Sequence, residues 1–598
     1  MKGAFRRPRG LLPRSVPARR VVAGFLVGAI VILLFVGLVA VLQAREAYAH
    51  LQAAIPKVSR LQEEAAAGDP GAAATARELC AHAGAAREAV HGPHWSVLGV
   101  LPILGDDVAA AQTVTEVIDD LAGGALVDLV DAVAAVDPAN LAPVDGRIDV
   151  ARIQAVAPHV VAAHDSLTSA QGRLADIDTV PLVGRLAARI EEFATQLNQL
   201  RALTATAARA VEVLPPMLGA EGERNYLLLA QNNAEPRATG GFAGSVLHIR
   251  AENGLIEVVE QRAAGSFARF AEPVLDLTPP ELGLFGTLPA RYFGNVTYTP
   301  DFPRSGELAA EMWRQDTGLV VDGVASVDPV ALQYLLRATG PLTLPTGQQL
   351  TADNAARVLL NQVYLDIEDP QQQDAFFEVA AGAVFDKVLG GAAEPAATIA
   401  ALDRSADEGR LMLWSAHAEE QERLVGTTLS GELRGHVDDS PVVSIYLNDN
   451  TPGKLGYYQR VTASVEVPTC HEDGSQELSV SVRISSRVPE PAEELSSHMT
   501  GGGQHAPVGV VRSTIYLYAP TGGTVTDVRV SDGDASVSPH VHDGLFVVAK
   551  QLELEPGESV TFEYDVTTGE GLGGEPLVRL TPGPTPDAFT ASTSQCGS

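Results

Sequence analysis

The stretch "QNNAEPRATGGFAGS", Gln231 to Ser245, crowds one arginine, one glutamate, two asparagines and three glycines between two apolar runs. Arg237 offers a planar fork of donors that matches a phosphate. Gly240, Gly241 and Gly244 let the backbone approach a ligand closely, and consecutive amides in such a turn form an anion nest. Asn232, Asn233 and Glu235 supply hard oxygens of the kind Mg²⁺ accepts beside waters and a ligand phosphate. Together these residue types fit a pyrophosphate-bearing ligand. They fit a plain connection equally well, with glycines supplying positive φ and asparagines satisfying the turn backbone. The stretch contains neither GxxxxGK[ST] nor GxGxxG, so it is not a Walker loop or a dinucleotide fingerprint.

Other residues invite weaker readings. Asp301 and Arg304 in "TPDFPRSGE" either join an anion and metal site or shape a turn. His91 and His94 in "HGPHW", and His540 and His542 in "SPHVHDG", have metal-like spacing without a framework of acids or cysteines, the pattern of loop histidines. Lys454, Tyr457, Tyr458 and Arg460 in "GKLGYYQR" either contact a glycan or another domain, or pack as alternating strand residues. No GxSxG or Ser-x-x-Lys signature argues for acyl chemistry.

The elements that must position these residues follow from patterning along the 598 residues. Residues 1–20 hold Lys2, six arginines and no acid, a basic cytoplasmic tail. Val21 to Leu42 then carries no charge; at about 1.5 Å per residue it is long enough to cross a bilayer, so a single transmembrane anchor over 21–42 is expected. The positive-inside bias places the remainder outside the cytoplasm. Residues 43–218 read as a helical stalk or bundle: Leu186, Ile190, Phe193, Leu197, Leu200 and Leu203 recur at helical spacing. "LPILGDD" and "VPLVGRL" form a weak repeat within it. Residues 219–435 mix strands ("NYLLLAQ", "GSVLHIR", "LIEVVEQ") with helices, an α/β domain. Residues 436–598 are short β-branched runs separated by turn residues, an immunoglobulin-like β-sandwich with a flexible C-terminal tail.

Charge and cysteines narrow the partners. The net charge is −32, and the basic tail leaves the remaining chain at −39. Such a body excludes nucleic acid as a partner held by bulk charge. An extracytoplasmic position permits disulfides, and of Cys80, Cys470 and Cys596 the last two lie in the terminal segment where they can pair.

"NYLLLAQNNAEPRATGGFAGS", "TYTPDFPRSGELAAEMW", "VDGVASVDPVALQYLLRATGPL" and "EEQERLVGTTLSGEL" followed by "YLNDNTPGKLGYYQR" resemble, in order, the blocks of one bacterial envelope family. It is catalogued as domain of unknown function number four-thousand-and-twelve, and the resemblance spans about Leu79 to Arg460. That family implies no activity. A more distant similarity, carried by the strand–arginine loop–strand order and by "DPQQQDAFFEVAAGAVFDKVL", is to the LytR-CpsA-Psr phosphotransferases. These use arginines to hold a polyprenyl pyrophosphate and acids to hold Mg²⁺ while moving a glycopolymer to the cell wall. The resemblance implies a LytR-CpsA-Psr-like α/β fold, with Arg237 as the first loop arginine and Arg262 or Arg269 as a second. It departs where "RATGG" replaces Arg-x-Asp-Thr and where the late helix lacks arginine.

Two functions follow. One is a membrane-anchored envelope protein that binds, and in the stronger form transfers, a polyprenyl-pyrophosphate-linked glycan. The other is a non-catalytic scaffold or interaction protein that meets envelope-assembly partners. Two or more arginines converging beside Arg237, with an acid, favour the first; Arg237 alone favours the second.

Overall fold

The computed structural model describes residues 39 to 594 apart from short interruptions, the longest being 131–142. The chain divides into two compact units, residues 1–137 with 152–212, and residues 138–151 with 213–598. The expected N-terminal transmembrane helix is corrected here, because among the described residues no helix is long and apolar enough to cross a membrane. The single-pass topology, the integral membrane contact and the placement at a cell membrane with an outside body go with it. Val21–Leu42 lies largely outside the described residues. The helical residues described from Val41 onward carry Arg45, Glu46 and Lys57, charges that are costly to bury in hydrocarbon.

The first unit is helical. Helices α1 (Ala72–Val90), α2 (Gly105–Gly123), α3 (Val150–Ala175) and α4 (Gly184–Met217) are rich in alanine, which favours the helix intrinsically and allows close packing. Val117 of α2 packs with Ala163, Leu167, Ala170 and Leu174 of α3 and Leu197 of α4. Ile190 and Leu197 of the expected α4 stripe are buried, but Leu200 is 49% exposed. The two weakly repeated loops lie side by side, with Val183 N donating to Asp107 Oδ1 at 2.9 Å.

The second unit joins an α/β layer to a sandwich. Strands β1 (Arg224–Arg237), β2 (Gly240–Glu252), β3 (Leu255–Ala263), β4 (Gly323–Val327) and β5 (Leu411–Ser415) form one sheet in the order β3-β2-β1-β4-β5. β1 and β4 are parallel and their neighbours antiparallel. Helix α5 (Phe302–Thr317) starts at Asp301, whose side chain accepts from Arg304 N, and ends at Gly318 in the left-handed region. Helix α6 (Pro329–Thr339) starts at Asp328, which accepts from Val330 N and Ala331 N. Both are N-caps that satisfy otherwise orphaned amides. Leu227, Leu229, Val246, Phe293, Phe302, Met312 and Trp313 form the core beneath the sheet. Helices α7 (Pro370–Leu389) and α8 (Pro395–Asp407) complete this part.

The sandwich uses β6 (Ser440–Asp449), β7 (Gln459–Cys470), β8 (Gln476–Ser486), β9 (Val511–Tyr518), β10 (Thr524–Val530), β11 (Ser538–His542), β12 (Leu545–Leu554), β13 (Ser559–Thr567), β14 (Leu577–Leu580) and β15 (Phe589–Thr593). One sheet runs β10-β13-β8-β7-β15 and the other β11-β12-β9-β6-β14. Inward residues at period two, such as Val443, Ile445 and Leu447 of β6 and Val480, Val482 and Ile484 of β8, share one core. β14 and β15 add to the two sheets in parallel, on β6 and β7 respectively. Runs of alternating residues carry no sign of strand direction, so these pairings lay beyond the sequence. Cys470 is disulfide-bonded, Cys80 is free, and Cys596 lies outside the described residues.

Candidate functional site

The opening stretch is mostly strand. β1 runs through Arg237, only Ala238 and Thr239 turn, and β2 resumes at Gly240. Register slips between Ala230 and Gln231 and between Asn232 and Pro236 break the ladder, as bulges do when they re-aim side chains. The first half of β1 alternates in burial, while Asn233 to Arg237 is buried throughout. The cause is β6: its outer face, including Tyr446 and Asn448, covers the hairpin tip. Ala238 packs with Tyr446, Tyr516 and Tyr518, and Ala238 N donates to Asn448 Oδ1 at 3.0 Å. Gly241 is required by crowding, since a Cβ there would lie 2.3 Å from the carbonyl carbon of Asn232.

Arg237 is 4% exposed. Its guanidinium donates to the carbonyl oxygens of Pro236 (2.9 Å) and Asp449 (3.3 Å) and to Asn295 Oδ1 (3.4 Å). It stacks over Tyr298 at 4.8 Å and Phe242 at 5.5 Å. Asn232 Nδ2 donates to the Tyr364 hydroxyl at 2.8 Å, and Asn233 Nδ2 to the carbonyl of Pro582 at 3.0 Å. Glu235 forms an ion pair with Lys454 at 2.9 Å, whose ammonium lies 4.7 Å from the Tyr364 ring. Within this packing Asp449 is buried, and burial pushes its carboxyl up to about 7.

The remaining candidates have separate partners. Arg262 pairs with Asp316 at 2.7 Å and lies over Phe267. Arg269 lies over Tyr292. Arg304 pairs with Glu281 at 2.8 Å and Glu307 at 2.9 Å. Asp301 caps α5 and accepts from Leu433 N at 3.0 Å; burial pushes its carboxyl up to about 6. Glu235 and Asp301 are thus engaged apart, and among the described residues no three His, Cys, Asp or Glu side chains gather to hold a metal ion. The residues present do not fit the expected Mg²⁺. Tyr458 donates to Asn361 Oδ1 at 3.0 Å, and Gly456 sits so close to β1 that a Cβ would lie 2.3 Å from Pro236 Cδ. The "GKLGYYQR" residues therefore serve the junction. His542 accepts from or donates to the Tyr518 hydroxyl at 2.9 Å, and His91 contacts Glu116 at 2.8 Å.

Sequence reasoning missed a second set. Arg410 precedes β5, is 5% exposed at its side chain, and pairs with Asp328 and Glu408, both at 2.7 Å. It also donates to the carbonyl of Gly583 at 2.9 Å. Asp328 was not singled out in the sequence, and nothing local marks Arg410 as its partner 82 residues on. At the opposite end of β4, Arg224, Asp322, His417 and Glu420 form another cluster, with Asp322 and His417 at 2.7 Å and Arg224 and Glu420 at 3.1 Å.

Residues 221–364 match the model of the family described as "Protein of unknown function (DUF4012)". Over that segment the chain is similar to the DUF4012 family. The match spans β1 to the helical turns ending near Tyr364 and so contains the whole buried hairpin; it stops short of Arg410 and of the sandwich that covers Arg237. No curated protein and no solved structure matches the chain, so the similarity to LytR-CpsA-Psr phosphotransferases gains no support from either.

Proposed function

We propose that this DUF4012 chain is a non-catalytic scaffold or interaction protein, in which the candidate loop fastens the α/β layer to the sandwich. One observation carries the reading: Arg237 is 4% exposed, with its two terminal nitrogens spent on two carbonyls and an asparagine and its guanidinium face on two rings inside that junction. A phosphate would have to displace these partners, and no second arginine among the candidates shares them. Arginine suits such a place because its planar fork bonds several carbonyls while its faces stack on aromatics. The α/β–sandwich body is then a rigid platform, and the helical unit is a separate surface for contacts.

Calorimetric titration with farnesyl pyrophosphate, with and without Mg²⁺, tests this on the full chain. The wild type should show no binding, and Arg237→Ala should lower the melting temperature. Binding by the wild type that Arg237→Ala abolishes at unchanged melting temperature would overturn the scaffold reading.

A further inference from the structure

The last part of the chain crosses the seam between the α/β layer and the sandwich as a strap. Gln476 Nε2 donates to the carbonyls of Leu572 and Gly574, both at 2.7 Å, and so fixes the point where the strap begins. β14 then lies along the edge of β6 and β15 along the edge of β7, each in parallel. Between these two strands Thr581 to Pro584 is buried. Asn233 Nδ2 donates to the carbonyl of Pro582 at 3.0 Å, and Arg410 Nη1 to that of Gly583 at 2.9 Å. Thr581 Oγ1 accepts from Leu447 N at 2.9 Å and donates to the carbonyl of Ala238 at 3.3 Å. The strap also supplies Val578, Leu580, Phe589 and Ala591 to the lining of a cavity of about 300 Å³.

Little apolar burial holds this strap. Leu577 and all of Thr590 to Thr593 are exposed, and Val578, Leu580 and Phe589 are only partly buried against the sandwich core. Terminal edge strands of this kind open well below the free energy of global unfolding. Opening would strand no charge, because Arg410 keeps Asp328 and Glu408, and the polar groups set free at the seam can turn to water. The far end, by contrast, is held covalently. Ser594 N donates to the carbonyl of Val465 at 3.0 Å, and the Ser594 hydroxyl accepts from Val467 N at 3.2 Å, which leads the chain along β7 toward Cys470. Cys470 is disulfide-bonded and Cys80 is free; of the three cysteines in the chain, that leaves Cys596. Cys470 is exposed, so a reductant can reach the bond.

We propose that this disulfide is a redox latch. Oxidised, it holds the strap across the seam. Reduced, it lets the strap lift away, which opens the cavity and the edges of β6 and β7 while the rest of the fold stays intact. The reductant is a dithiol: one of its thiolates attacks a sulfur of the bond, the S–S bond breaks, and closure of the reductant's own disulfide leaves Cys470 and Cys596 as thiols. Two electrons and two protons pass to the protein. This device goes beyond the scaffold reading, which rests on Arg237 and is tested separately.

Hydrogen exchange read by mass spectrometry tests it on the full chain, oxidised and after dithiothreitol. Reduction should speed exchange of the amides of residues 577–594 on the order of thirtyfold or more, the scale of a lost loop-closing bond. The Leu447 amide, which donates to Thr581, should follow. Amides of α5, β8 and β13 should not change, and reoxidation should restore protection. Cys596→Ser should exchange like the reduced protein and ignore the reductant, whereas Cys80→Ser should respond as the wild type does. Equal protection of 577–594 in both states overturns the proposal. So does a loss of protection throughout the fold on reduction, which would make the bond a staple of the whole body, or a peptide map without the Cys470–Cys596 bond.

Discussion

Replacing Asp449 by asparagine should make the protein more stable above pH 7 and barely change it near pH 4. Asp449 ends β6 and is 3% exposed. Its carboxylate accepts from Thr451 N and Thr451 Oγ1, both at 2.8 Å, while Arg237 reaches its backbone oxygen instead of its carboxylate. Burial is the leading cause that moves the carboxyl from 3.8 to about 7; Glu235 adds to it, and Arg237 and Thr451 oppose it. A folded-state value above the unfolded one means the native state holds the proton more tightly. Stability from this group is therefore fully present below about pH 4, falls as pH rises to 7, and is flat beyond. About three units at 1.36 kcal/mol each give roughly 4 kcal/mol. The amide of the Asp449→Asn variant keeps an oxygen to accept from Thr451 and never ionises. The melting-temperature difference between Asp449→Asn and wild type, followed from about pH 4.5 to about 8.5, should grow by about 5 °C. Asp301, which also titrates in this range, is common to both proteins and cancels. Parallel curves across the range would refute the assignment of a buried, poorly compensated carboxyl.

Three further outcomes are expected. Arg237→Ala should cost about 2–4 kcal/mol by leaving a void and unmatched carbonyls at the junction, measured by denaturant unfolding; a loss under about 0.5 kcal/mol, the scale of an ordinary surface substitution, would show that Arg237 is not structural. Gly456→Ala should cost about 1–3 kcal/mol, because the added carbon meets Pro236 at 2.3 Å and the Ala234 carbonyl at 2.7 Å, and limited proteolysis should then cut between the α/β layer and the sandwich more readily. Peptide mapping without reductant should join Cys470 to Cys596, and reduction should cost about 2–4 kcal/mol; an unpaired Cys470 thiol in the map would end this expectation.

The sequence showed elements better than it showed their junctions. The period of Leu227 and Leu229, the Asp caps of α5 and α6, and the β-branched runs after residue 436 all act locally, so patterning reveals them. The burial of Asn233, Glu235 and Arg237 was not legible, because it depends on β6 arriving from more than 200 residues away. Polar composition reads as exposed loop unless another layer covers it, and here the covering layer supplies carbonyls and rings.

The bond from Asn233 to the carbonyl of Pro582 closes 349 residues of chain, and Arg410 waits similarly for Gly583. During synthesis the polar half of β1 leaves the ribosome long before the segment that finishes its enclosure. Until residues 577–593 emerge, Asn233, Arg410 and the edge of β6 that β14 pairs with stay open to solvent and to other chains. A nascent or truncated chain ending before Leu577 would hold a nearly complete sheet and an unsealed seam, the species that chaperones and proteases are built to detect.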